Sequence, residues 1–93
     1  MLTAVVMIDA EPARIPEIAT EVAEVAGVSE VYSVTGEVDL IAMVRVREHE
    51  QLADVIADRI SKVDGVLRTQ TYIAFRAYSQ HDLEAAFDLG LGD

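Results

Sequence analysis

The amino-acid sequence predicts one α+β domain in which two strand–helix–strand units share an antiparallel sheet of four strands. Two observations carry this. The chain half-matches itself at an offset of 38 residues: Ala4 falls on Ala42, Val6 on Val44, Ile8 on Val46, Ile18 on Ile56, Val22 on Ile60, Val25 on Val63, and Gly27-Val28 on Gly65-Val66. The matched positions are apolar or glycine, as two copies of one packing unit require, and two copies are too few for a solenoid. The apolar pattern also changes period along the chain, from the alternation of a strand to the three-and-four spacing of a helix and back. Ninety-three residues suit a single domain.

Each element has its own justification. Leu2 to Ile8 is rich in Val and Ile and is bounded by Asp9 and Pro12, which marks a strand. Pro16 suits a first helical turn; Ile15, Ile18, Ala19, Val22 and Val25 recur at helical spacing, and Gly27 is a natural stop. Val28–Thr35 and Val38–Arg47 are strand-like. Glu48, Glu50 and Asp54 crowd the start of a second helix, where the dipole favours negative charge. Its expected buried stripe is Leu52, Ile56, Ile60 and Val63, and Asp64-Gly65 ends it. Leu67 to Tyr78 is the last long strand. Ser79-Gln80-His81-Asp82 has the form of a capping box, and Leu83, Ala86 and Phe87 share one side of a short C-terminal helix ended by Gly90. The expected division is thus a βαββαβ body over residues 1–78 and a helix and tail over residues 79–93.

The order βαββαβ is the ferredoxin-like sandwich, with both helices on one face of the sheet. Right-handed crossovers are expected to set the first and third strands centrally, and parallel to each other. Leu2, Ala4, Val6 and Ile8 would face the helices, with Ala42, Val44 and Val46 beside them. Val5, Met7, Ile41 and Met43 would then lie on the other face. That second face measures roughly 400 Å² for four strands about 4.8 Å apart. An apolar patch of this size implies a partner. Val5, Met7, Ile41 and Met43 are accordingly the expected interface of a face-to-face dimer with two-fold symmetry. The competing expectation is that Arg45, Arg47, Thr69 and Thr71 leave the face polar enough for a monomer.

Composition narrows the function. Seven Lys and Arg stand against seventeen Asp and Glu, a net charge of −10 with no basic stripe. Such a chain repels phosphate backbones and anionic membranes, so no direct nucleic-acid or membrane partner is expected. There is no cysteine, which excludes disulfides, thiolate metal sites and thiol nucleophiles. No basic leader precedes the first strand, and a cytoplasmic location is expected. His49 and His81 each stand alone at a helix start, without the second histidine or acid at metal-ligand spacing. No P-loop or GxGxxG occurs. Tyr32, Tyr72 and Tyr78 suit strands with packed rings and wet hydroxyls. The chain is expected to be no enzyme and to carry no cofactor or metal.

The polar stretch Thr35-Gly36-Glu37-Val38-Asp39 has two readings. In one it only closes a hairpin, with Gly36 at positive φ and Thr35 and Asp39 bonded to nearby backbone. In the other, its N–H groups and the Asp39 carboxylate face a small zwitterion, donors toward a carboxylate and the acid toward an ammonium.

Here the sequence resembles the effector-binding (RAM) domain of the Lrp/AsnC transcription regulators. The resemblance rests on Gly27-Val28, Val34-Thr35-Gly36, Asp39, Gly65-Val66, Thr69 and Thr71, and spans about residues 1–78. It implies the βαββαβ fold, dimers built through sheet faces, and rings of dimers with amino-acid effectors bound between them. It further implies that Thr35, Gly36, Glu37, Val38, Asp39 and Leu40 line the effector site. It points less directly to Thr69, Gln70 and Thr71 of the last strand as candidates, and less directly again to the helix-to-strand connection near Gly65. Most members carry an N-terminal helix-turn-helix domain. This chain begins directly at its first strand, so a stand-alone member is expected, acting alone or with a full-length Lrp/AsnC regulator.

The expected function is therefore a non-catalytic, amino-acid-binding oligomerisation module in transcriptional or metabolic regulation. One alternative is a small enzyme of the dimeric α/β-barrel type, which needs a polar residue such as histidine in a cleft under the helices. The other is a purely structural oligomerisation partner.

Overall fold

The structure, a computed structural model, describes residues 1–78. It contains strands β1 (Leu2–Ala10), β2 (Val28–Ser33), β3 (Leu40–Val46) and β4 (Val66–Ile73). Helix α1 is Ile15–Ala23, entered through a tight turn at Pro12–Arg14; helix α2 begins at His49–Ala53. The strands form one sheet in the order β2-β3-β1-β4, and every neighbouring pair is antiparallel. The ferredoxin-like sandwich is thus observed. The expected C-terminal helix lies outside the described residues.

One expectation of strand direction is corrected. β1 and β3 are central, but they run antiparallel, pairing from Leu2↔Val46 to Ile8↔Leu40. The reason is the number of reversals between them. α1 returns the chain so that β2 runs with β1, and the β2–β3 hairpin then turns it once more.

The core is the helix side of the sheet. Ala4, Val6 and Ile8 of β1 and Leu40, Ala42 and Val44 of β3 are fully buried against Ile18 and Val22 of α1 and Ile60 beyond α2. Strand alternation delivers these residues to one face, as the repeat pattern foretold. α2 departs from its expected stripe. After Ala53 it widens to π-helical spacing over Asp54–Arg59 and then tightens to 3-10 spacing over Ile60–Lys62. The wide turn changes the angular phase, so Val55 enters the core while Ile56 and Val63 are only partly buried. At the start of α2, the Gln51 side chain accepts hydrogen bonds from the N–H groups of Arg47 and Glu48, both at 2.9 Å.

Strand limits differ too. β2 stops at Ser33 and β3 begins at Leu40, so the connection is the longer loop 34–39. β4 ends at Ile73, not Tyr78, although the Ala74 N–H still bonds the Thr3 carbonyl at 2.9 Å. A register shift sits between Asp9/Ala10 and the facing Arg68 and Val66. It leaves Leu67 bulged and 68% exposed. Thr69 and Thr71 pair with Ile8 and Val6, so they stand on the helix side and not on the open face. Arg47 lies beyond the end of β3. Of the four polar residues expected on the open face, Arg45 alone is there.

The repeat is visible in the connections. Val28 N–H bonds Val25 O at 3.0 Å, and Val66 N–H bonds Val63 O at 3.1 Å, 38 residues on. Gly65 has a φ of +98°, and a Cβ there would stand 2.5 Å from Cδ1 of buried Ile18. Its counterpart Gly27 would likewise press a Cβ onto Val55, at 2.8 Å. Each helix end therefore packs tightly beside the other helix. Arg14 braces the second end, donating to the Asp64 carbonyl at 2.8 Å and to its carboxylate at 3.0 Å. Gly36, at φ +119°, has nothing within 4 Å of the Cβ position. Gly65→Ala combines backbone strain with a core collision and should cost about 2–4 kcal/mol. Gly36→Ala should cost only the backbone term, about 1–2 kcal/mol. Urea unfolding of the two variants checks this order.

Candidate functional site

The 34–39 loop sits at the end of the sheet where β1 finishes. Three hydrogen bonds fix it. Val34 N–H donates to Asp39 O at 3.1 Å, Asp39 N–H to Ile8 O at 3.0 Å, and Ala10 N–H to Asp39 Oδ2 at 2.9 Å. The Asp39 side chain thus satisfies the last N–H of β1 and ties the loop to a central strand. Oδ1 makes no hydrogen bond among the described residues. Thr35, Gly36 and Glu37 are exposed at the tip; Val38 and Asp39 are half-buried. Thr35 makes no side-chain hydrogen bond there. Leu40 is fully buried in the core, so toward a ligand it offers backbone and not side chain.

The residues expected from β4 stand apart from the loop within one chain. Leu40, Ile8 and Thr69 form one cross-strand row, which separates Thr69 from Leu40 by about 10 Å at normal strand spacing. Gln70 points to the open face, opposite Met7, whereas Thr69 and Thr71 point to the helix side. Thr69 Oγ1 lies 3.5 Å from Ser61 Oγ. Within a single copy, then, the loop and the β4 group do not converge. Gly65 is closer to the loop end of the sheet, its carbonyl bonded to Glu11 N–H at 2.8 Å.

The expected interface residues do converge. Val5 pairs with Met43 and Met7 with Ile41, and all four are partly exposed on the face without helices. Tyr32 extends this row beside Ile41, and Tyr72 beside Val5; they are 50% and 51% exposed. Their strand positions were readable from the sequence, but their membership of this patch depends on register. Phe75, 99% exposed, follows β4 and borders a recess of about 450 Å³ with Val5, Met43 and Arg45.

A polar chain crosses the β2 edge of the same face. Arg45 donates to Ser29 Oγ at 2.6 Å and to Glu30 Oε1 at 3.1 Å. The Arg45 guanidinium, and after it the Tyr32 hydroxyl, hold the Glu30 carboxyl below the usual carboxylate range. Tyr32 in turn is raised, chiefly by donating its hydroxyl proton to Glu30. Because the Glu30 value is depressed on folding, this network is intact above the ordinary glutamate range near pH 4 and is lost only as acid protonates the group.

His49 is exposed at the first position of α2, so it supplies no buried base under the helices. Among the described residues no group of three or more His, Cys, Asp or Glu is placed to hold a metal ion. No helix among them is long and apolar enough to cross a membrane.

Comparison with known proteins identifies the family. The Lrp/AsnC ligand binding domain matches residues 3–83. The chain is 35% identical over 72 residues to an uncharacterized HTH-type transcriptional regulator of Pyrococcus abyssi, covering 77% of this chain and 46% of the relative. The crystal structure of TTHA0845 from Thermus thermophilus superposes with a TM-score of 0.81 at 45% identity, over 86% of this chain and 100% of that one. A feast or famine regulatory protein from M. tuberculosis, solved as a complex with L-methionine, gives a TM-score of 0.70 at 29% identity, over 86% of this chain and 54% of that one. The chain therefore belongs to the Lrp/AsnC ligand-binding-domain family. It spans about half the length of the curated relatives it matches.

Asp39→Ala leaves a partly buried Ala10 N–H without its acceptor and should cost about 1–2 kcal/mol. Asp39→Asn keeps an acceptor oxygen and should cost less than half of that. Equilibrium unfolding of both variants measures the difference.

Proposed function

We propose that this chain is a non-catalytic amino-acid-sensing module that works as an assembly of its own copies. Two copies stack through the open sheet face, and an amino acid is held where the Gly36 loop of one dimer meets a neighbouring dimer. The observation that carries this reading is the apolar row Met7–Ile41 and Val5–Met43, flanked by Tyr32 and Tyr72, on a face that no helix covers.

A stable interface buries about 800 Å² on each partner. The four-strand face spans roughly 400 Å² in plane, and the projecting rings of Tyr32 and Tyr72 on it, with Phe75 just beyond β4, raise its accessible area above that flat footprint. The loop suits a zwitterion. Exposed backbone at Thr35–Glu37 offers donors to a carboxylate, and the unengaged Oδ1 of Asp39 offers charge to an ammonium. The 10 Å gap between the loop and the β4 residues favours a site completed by a second copy. The L-methionine bound to the M. tuberculosis relative supports amino acids as the effector class. A ligand touching two copies stabilises the assembly it bridges, which links binding to assembly. Action on transcription would then pass through a DNA-binding regulator of the same family, since the chain's net charge of −10 disfavours direct contact with DNA.

Calorimetry and light scattering against the twenty amino acids test the proposal. At least one, L-methionine being the first to try, should bind saturably and raise the scattering mass. Asp39→Asn, which keeps the loop tied to β1 but removes the charge, should weaken that binding about tenfold or more. No binding heat and no change of mass for any amino acid would overturn the sensing role.

A further inference from the structure

We propose a second ligand site, for a small oxyanion, in the cleft between the end of β3 and the widened part of α2. The cleft holds about 370 Å³, room for roughly a dozen water-sized groups. Gly27, Val46 and Val55 line it with apolar surface, and Arg47, Gln51, Asp54 and Arg59 line it with polar groups. It lies at the opposite end of β3 from the Gly36 loop, about 20 Å away by strand rise. It therefore does not depend on the amino-acid reading of that loop.

Three observations point to an anion. The first is charge pairing. In a chain with seventeen acids and seven basic residues, most arginines should find a carboxylate. Arg14 pairs with Asp64 at 3.0 Å, Arg45 with Glu30 at 3.1 Å and Arg68 with Asp9 at 3.5 Å. Arg47 and Arg59, like Arg76 after β4, have no carboxylate within 4.0 Å among the described residues, but Arg47 and Arg59 share one cleft, which Asp54 also lines. Arg45 also lines the cleft, so three guanidiniums stand there against the single carboxylate of Asp54 among the described residues, an excess of positive charge that favours an anion.

The second is the helix itself. Asp54 and Arg59 are five residues apart, which on an ordinary α-helix puts them about 140° apart around the axis. The π-helical spacing of Asp54–Arg59 brings both toward one side, within about 50°. The departure from regular helix is thus what brings Arg59 to the cleft.

The third is Gln51. Its Oε1 already accepts from Arg47 N–H and Glu48 N–H. Its amide NH2 is left as a donor, beside two arginines that are donors only. The polar groups of the cleft are therefore dominated by donors. Planar guanidiniums bind carboxylate or phosphate oxygens through paired hydrogen bonds. The apolar part suits a short carbon chain. The ligand class is a small phosphate or carboxylate compound with at most a few carbons.

Amide NMR of the full chain, titrated with sodium phosphate, with sodium succinate and with sodium chloride at matched ionic strength, tests this. The proposal expects saturable shifts at Gly27, Gln51 and Val55 and at the arginine Nε–H signals, with phosphate or succinate but not with chloride. The responding salt tells phosphate from carboxylate chemistry. Arg47→Gln with Arg59→Gln should weaken binding at least tenfold, whereas Lys62→Gln, outside the cleft, should not. Equal shifts with chloride, no saturation with either anion, or unchanged affinity in the double variant would overturn the site. These shifts together with no binding heat for any amino acid in the calorimetry would overturn the loop reading and leave this site standing.

Discussion

A four-stranded sheet has two faces, and the described chain supplies helices for only one of them. That constraint organises the molecule. β1 and β3 carry apolar residues on both sides. On the helix side the cover is complete, and Ala4, Val6, Ile8, Ala42 and Val44 lie fully buried. On the other side Val5, Met7, Ile41 and Met43 remain partly open to water. The glycines that end the helical segments belong to the same economy of space. They let each helix end lie against the other helix, so that two short helices suffice to seal one face.

In the proposed reading, the Gly36 loop combines a structural role with a binding one. One oxygen of Asp39 closes the end of β1, which ties the loop to a central strand. A ligand site gains from such a tie, because less ordering cost is then left for the moment of binding. The hairpin reading and the zwitterion reading are therefore compatible: the tie to Ala10 uses one oxygen and leaves the other unengaged. The long 34–39 connection also leaves Thr35, Gly36 and Glu37 exposed at the end of the sheet.

Much of this was legible in the sequence because burial and strand alternation are local patterns. The 38-residue repeat placed the core and divided Val5 and Met7 from Val6 and Ile8 correctly. Features set by non-local geometry were not legible. Strand direction depends on counting every chain reversal, and the β1–β3 pair was expected parallel for want of that count. The bulge facing Asp9 and Ala10 shifts the phase of β4, which carries Thr69 and Thr71 to the helix side. The wide turn in α2 exchanges Val55 for Ile56 in the core. For the site, the loop residues were readable from Gly36 and Asp39, but their distance from Thr69–Thr71 follows from strand order alone. The Arg47–Arg59 cleft gave no sequence signal, because five-residue spacing does not share a face on a regular helix.

The covering of the open face is the claim on which the sensing role stands. Sedimentation equilibrium of the full chain at micromolar concentration measures it directly. The account predicts a mass of two or more copies of the 10.1 kDa chain. A single species at 10.1 kDa, with Val5, Met7, Ile41 and Met43 left in water, would contradict it.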